Sequence, residues 1–178
     1  MGEIKIHQPV KLISGLLYLS ETLIKEVETI LINEFGPIDL QSEAFPFNLT
    51  DYYVDELGEG ILRKYIAFEK LIDIVRLPDI KIWTNEIEKK FSDKDSGKRK
   101  INIDPGYLTL SKMILATTKN YSHRIYLRDG IYAEVTLHYH KKSFTPWDWT
   151  YPDYKLEKTI NFFNKVREIY KEQLQKIL

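Results

Sequence analysis

Arg124 and Glu134 stand on either side of the turn signal Arg128-Asp129-Gly130, in two runs that alternate in the manner of strands. A two-residue loop pairing Arg128 with Ile131 would mix charge and apolar bulk on both faces. A three-residue loop with Gly130 left-handed pairs Leu127 with Ile131 and separates them. In that register Arg124 faces Glu134 directly, flanked by Tyr126 and Tyr132. The arginine suits an anion, and the glutamate suits orienting that anion or accepting a proton. The plain alternative is an exposed charge pair contributing under ~1 kcal/mol. His123 is expected on the opposite face with Ile125, Leu127, Ile131, Ala133, Val135 and Leu137, where a core role is simplest.

A second group centres on Asp104-Pro105-Gly106-Tyr107. Read as the end of a strand leading into a helix, it puts the Asp104 carboxylate where acid, base or metal chemistry is often found. A structural turn explains the same residues. Thr118, at the end of the expected helix, offers a hydroxyl or a cap. His138 and His140 share one side of a strand with Glu134, a set able to bind a divalent ion, yet the spacing is commonplace and no metal ligand is assigned. Trp147, Trp149, Tyr151 and Tyr154 cluster around two prolines and serve either to stack a ligand or to plug a loop.

The elements that position these groups follow from periodicity. Val10–Leu19 reads as a buried strand, and Ser20 caps a helix whose stripe runs from Leu23 to Phe35 and stops at Gly36-Pro37. Ile38–Phe47 is irregular or edge strand and Ile61–Phe68 a further strand. Pro78 opens a second helix with Ile80, Trp83, Ile87 and Phe91 inward. Residues 92–100 are the least structured stretch and the best candidate for a mobile loop. A short strand at 101–103, a helix within 107–118, strands 121–127 and 131–140, and a long helix from about Asp153 complete the chain. The expected fold is one α+β domain over residues 1–178. A ferredoxin-like βαββαβ core is extended by the hairpin, with a single antiparallel or mixed sheet covered by helices.

Composition bounds the function. The 178 residues carry 26 basic and 26 acidic side chains, so no overall field marks a general nucleic-acid binder. Lys outnumbers Arg 20 to 6, which makes each of Arg63, Arg76, Arg99, Arg124, Arg128 and Arg167 worth locating. Zero Cys excludes thiolate catalysis, disulfides and Cys-based metal sites. No export signal, myristoylation motif or membrane span is read, so the cytoplasm is the expected location. The Lys-, Glu- and Ile-rich mix leans thermophilic. A P-loop, a dinucleotide fingerprint, a nucleophile elbow and the paired His-x-Thr/Ser motifs of two-histidine phosphoesterases are all missing.

Four blocks carry a resemblance: PVKLISGLLY, EFGPIDLQSEAFPFNLTDYY, NIDPGYLTLSKMILATTKNYSHRIYLRDGIYAEVTL and FTPWDWTYPDY. Over nearly the whole chain they resemble an uncharacterised bacterial family, domain-of-unknown-function family 4416, whose members are often labelled GTP-binding protein. The resemblance implies a family signature at Asp104, Gly106, Tyr107, Thr118, His123, Arg124, Glu134 and Trp147. It implies no activity, and Thr118-Lys119-Asn120 runs into Tyr121 where a guanine-reading motif requires Asp.

Three functions fit these residues. One is a binding module for a phosphorylated or nucleotide-like small molecule, with Arg124 on the anion, Tyr107, Thr118, Tyr126, Tyr132 and Trp147 around it, and Asp104 orienting it. Another is a metal-dependent phosphoester hydrolase or phosphotransferase using Asp104, His123 and Glu134. The third is homo-oligomerisation or partner binding through the aromatic loop 144–154. No cofactor is named by the sequence. Convergence of Asp104, His123, Arg124 and Glu134 on one pocket is the observation both ligand readings require.

Overall fold

The computed structural model describes residues 2–50 and 53–177. Chain order is β1 (Val10–Tyr18), α1 (Glu21–Phe35), β2 (Ile38–Gln41), β3 (Phe45–Pro46), α2 (Val54–Leu57), β4 (Leu62–Ile72), α3 (Leu77–Lys90), β5 (Ile101–Leu108), β6 (Lys112–Thr117), β7 (Arg124–Arg128), β8 (Ile131–His140), β9 (Ser143–Pro146) and α4 (Glu157–Ile177). The strands form a single antiparallel sheet in the order β2-β4-β1-β5-β6-β8-β7, with β3 beside β4 and β9 beside β8.

Local chemistry accounts for the elements. Ser20 caps α1 by accepting the Leu23 N–H at 3.3 Å. Gly36 ends that helix at φ 92°, a conformation that favours glycine. Every residue of β1 is buried, as a central strand requires when both sheet faces are covered. On one face Leu12, Leu16, Ile66, Phe68 and Ile103 pack against α1 and α3. On the other, Ile13, Tyr65, Leu115 and Leu137 pack against α4 through Phe162, Phe163, Val166 and Tyr170. Buried Lys11 fastens this second layer: it pairs with Asp39 of β2 and donates to Gln173 of α4 at 2.9 Å. Burial pulls its ammonium below the usual lysine range despite Asp39.

Expectations at 107–118 and in the hairpin are corrected. Residues 107–118 contain no helix; β5 runs through to Leu108 and turns at Thr109–Ser111 into β6. The Thr109 hydroxyl accepts the Ser111 and Lys112 N–H groups at 3.3 and 3.2 Å, which closes the turn. The apolar run Met113–Ala116 is thus a buried strand, a pattern that periodicity alone does not separate from a buried helix segment. Asp104 accordingly sits in mid-strand, not over a helix N-terminus.

The hairpin pairs Arg124 with Glu134 and Tyr126 with Tyr132 as expected, but the expected Leu127–Ile131 closure is corrected. Arg128 pairs with Ile131 across a two-residue loop, Asp129-Gly130, with both residues at positive φ (52° and 77°), and an irregularity at Leu127 absorbs the extra residue. The polar face is covered at Arg124 and Glu134, and the apolar face is bare on β7 but buried at Ile131 of β8. Arg124 and Glu134 are buried, whereas Ile125 is 69% exposed. β7 lies at the sheet edge, so its apolar side chains have no helix over them, while residues 147–151 cover the polar side. His123 precedes the strand in a turn closed by Arg124 N–H to the Tyr121 carbonyl, so it escapes the two-residue period and joins the polar side.

Candidate functional site

β5 pairs with β1 along its whole length but with β6 only from Gly106 to Leu108. Pro105 has no N–H to extend that ladder, and at Gly106 a side chain would collide with the Ile114 carbonyl. Beyond this last rung the two strands separate. The opening holds a cavity of about 400 Å³. Asn102 and Asp104 of β5 line it, with Leu115 to Thr117 of β6, Lys81 and Asn85 of α3, Arg63 of β4, and Tyr151 to Tyr154.

Arg63 is the most constrained charge there. Its guanidinium lies 5.3 to 5.6 Å from the ring centres of Phe47, Tyr65 and Tyr154. Nε is 2.8 Å from Asp153 Oδ2 but off the hydrogen-bond line, so the contact is an ion pair that leaves the N–H unbonded. Nη1, 3.5 Å from Asp104 Oδ2, also has no hydrogen-bond partner among the described residues, and neither does the buried Tyr154 hydroxyl. Burial works against the charge on Arg63, and Asp153 with its neighbours more than restores it.

Gly15, which pairs with both Tyr65 and Asp104, provides the room. A Cβ there would lie 2.6 Å from the Tyr154 hydroxyl and 2.9 Å from Arg63 Nη1. Gly15→Ala is therefore expected to destabilise the fold by about 1–3 kcal/mol in a urea titration and to displace both groups.

Asp104 is held from three sides. Asn102 donates its amide to Oδ2 at 2.7 Å, Arg63 is nearby, and Lys81 Nζ is 3.9 Å from Oδ1 while donating to the Ile103 carbonyl at 2.9 Å. Asn102 is oriented by Arg99, which donates to its Oδ1 at 2.9 Å. Arg99 also grips Glu56 of α2 through two contacts of 2.5 and 2.6 Å and Glu88 at 2.8 Å. These bonds hold the Glu56 carboxyl below its ordinary range. Burial lifts that of Glu88 despite Lys81 and the Ile103 N–H. Residues 92–100 form a loop as expected, framed internally by Asp93, whose carboxylate accepts from Asp95, Ser96 and the Ser96 hydroxyl.

The other expected residues divide cleanly. Glu134 and Thr118 line the cavity with Asp104. Arg124 stands behind it, its donors committed to Glu134 (2.9 Å), the Lys119 carbonyl (3.1 Å) and the Tyr151 hydroxyl (2.7 Å). His123 contacts Glu134 at 3.2 Å and stacks on Trp149. Trp147 stacks on Trp149 and contacts the His138 ring, outside the cavity lining. Tyr126 and Tyr132 form an edge-to-face pair on the hairpin, and Tyr107 is buried in the core beneath α1 and α3. Asp104, Glu134 and Thr118 thus share the cavity, Arg124 and His123 brace it, and Trp147, Tyr107, Tyr126 and Tyr132 lie elsewhere. Among the described residues no three His, Asp or Glu side chains gather as a metal site.

Sequence reasoning missed Lys81, Asn102 and the close approach of Arg63 and Tyr154 to Gly15; it placed Tyr154 only within an aromatic cluster. Two signals were present: an arginine inside the apolar run Ile61–Phe68, and a glycine inside Val10–Leu19, where strand glycines mark close approach.

Tyrosines dominate the walls, and burial raises several of their hydroxyls. Tyr151 is pushed up to about 12 by burial and then by Glu134. Tyr53, Tyr65 and Tyr154 are pushed well above the ordinary phenol range too, again chiefly by burial. A phenol raised on folding contributes stability that is complete below its unfolded value, near 10, and is lost as pH climbs through the folded value. Stability to urea is therefore expected to fall steadily above about pH 10, with phenolate absorbance in the folded protein lagging behind that of the unfolded chain.

The architecture is a mixed α+β protein with one antiparallel sheet, a C-terminal helix and a polar cavity where two strands part. The chain belongs to the family described as Domain of unknown function (DUF4416), whose model matches residues 8–170. No curated protein and no solved structure matches it. No helix among the described residues is long and apolar enough to cross a membrane.

Proposed function

We propose that the protein binds a small phosphorylated or nucleotide-like molecule in the cavity between β5 and β6. One observation carries this reading: two donors, Arg63 Nη1 and the Tyr154 hydroxyl, are almost fully buried, line the cavity and have no hydrogen-bond partner among the described residues. Buried donors are ordinarily satisfied, and leaving one unmade costs about 1–3 kcal/mol. An oxyanion beside Gly15 satisfies both, with Lys81 Nζ as a further cation. The volume is in the range of small-molecule sites. The anion-holding role expected of Arg124 moves to Arg63, and Arg124 becomes a positioning residue for Tyr151 and the 119 loop.

We read the β1-α1-β2-β4-α3-β5 part as a ferredoxin-like core. Its support is the strand order β2-β4-β1-β5, all antiparallel, with both helices on one face. The later strands extend this core, and the binding cavity opens at the junction.

Tyr154→Phe is the sharpest test because it removes a hydroxyl with no hydrogen-bond partner among the described residues. Stability to urea is expected to stay level or rise slightly. Affinity for the sugar phosphates and nucleoside monophosphates that raise the wild-type melting temperature is expected to drop about tenfold. Equal affinity in Tyr154→Phe and wild type would overturn the assignment.

A further inference from the structure

Resting on the phosphate reading of the cavity, we infer that Asp104 recognises a ligand hydroxyl, so that the ligand class is a phosphorylated polyol, sugar or ribonucleotide, not a phosphate ester without free hydroxyls. The argument concerns acceptor capacity. Asp104 Oδ2 receives the Asn102 amide, but Oδ1 accepts no hydrogen bond among the described residues, and Lys81 Nζ stands 3.9 Å from it, beyond hydrogen-bond reach. The side chain is 22% exposed and lines the cavity, so Oδ1 is offered to whatever enters. An ionised carboxylate only accepts, and its ligand partner must donate.

The surroundings narrow that donor. Arg63 and Lys81 are both within 4 Å of the carboxylate, which disfavours a third cation and selects a neutral donor, a hydroxyl. The same two cations reduce the repulsion between Asp104 and a phosphate bound beside Gly15. Acceptor and donors therefore stand side by side: Oδ1 for a ligand O–H, Arg63 Nη1 and the Tyr154 hydroxyl for ligand oxygens. A phosphate group with a hydroxyl a few bonds away matches both. Asp104 is held in this pose by a relay with one hydrogen-bonding sense. Arg99 can only donate, so the Asn102 oxygen faces it and the Asn102 NH₂ must point to Asp104.

The experiment uses matched pairs on the full chain by titration calorimetry: glycerol 3-phosphate against propyl phosphate, and a ribonucleoside monophosphate against its 2′,3′-dideoxy form. In the wild type the hydroxylated member of at least one pair is expected to bind about tenfold more tightly. Asp104→Ala is expected to bring that pair to within about twofold, by weakening the hydroxylated member alone. Equal binding within both pairs by the wild type overturns this inference while leaving the phosphate reading intact. Absence of binding by every probe overturns both. A preference that persists in a folded Asp104→Ala variant also overturns the role of Asp104. Where that variant does not fold, Asp104→Asn, which keeps the volume, supplies the comparison.

Discussion

Arg63→Met is expected to destabilise the protein by about 3–5 kcal/mol, because it strands the buried Asp153 carboxylate without its cation. Asp153 is 1% exposed and among the described residues would keep only the Tyr65 hydroxyl, 2.8 Å away. The three rings that enclose the guanidinium would also lose their cation. Urea titration reads the loss directly. The double variant Arg63→Met with Asp153→Asn separates its origins: if the unpaired charge is the main cost, the second substitution restores much of the stability. A double variant no more stable than Arg63→Met would show that ring packing, not charge, dominates. In both variants the phosphate probes are expected to give no thermal shift.

Glu134→Ala should be nearly as costly, about 3–5 kcal/mol, though its side chain makes no contact with Arg63. Both side chains of the Arg124–Glu134 pair are only 2% exposed. Removing the glutamate takes partners from Arg124 Nε, from His123 and from the Thr136 hydroxyl at 3.3 Å. The exposed pair Arg128–Asp79 is the internal control, at 46% and 58% side-chain exposure. Arg128→Ala is expected to leave the urea midpoint where it is, since water and salt already screen that contact. A small effect of Glu134→Ala would mean that β7 contributes little to the cooperative unit.

The difference between these two ion pairs was only half visible in the sequence. The turn and the two-residue period gave the pairing of Arg124 with Glu134, because a slip would have scrambled both faces. Burial was not legible, since what covers the pair comes from elsewhere in the chain: Tyr151 and Trp149, brought over by β9 and the start of the last helix. The same holds for the cavity. Asp104 and Glu134 stood out as carboxylates in recognisable blocks, whereas Arg63 and Tyr154 acquire meaning only once β4 and residues 152–155 meet across Gly15. The helix expected at 107–118 failed for a related reason. Met113–Ala116 is apolar on both sides because α3 and α4 enclose it, and that double cover erased the alternation that betrays a strand.

Gly15 has a further consequence, in the time domain. It lies at the start of the chain, yet the groups it makes room for are Arg63 and Tyr154, so the site closes over long sequence separations. Such topologies fold slowly, on millisecond to second scales, because loop-closure entropy precedes the contacts that offset it. During synthesis at about 5–20 residues per second, roughly five to twenty seconds separate the emergence of Arg63 from that of Tyr154. Through that interval the arginine keeps its water. The proposed binding competence would consequently be acquired late, arriving with the same segment that dries the site.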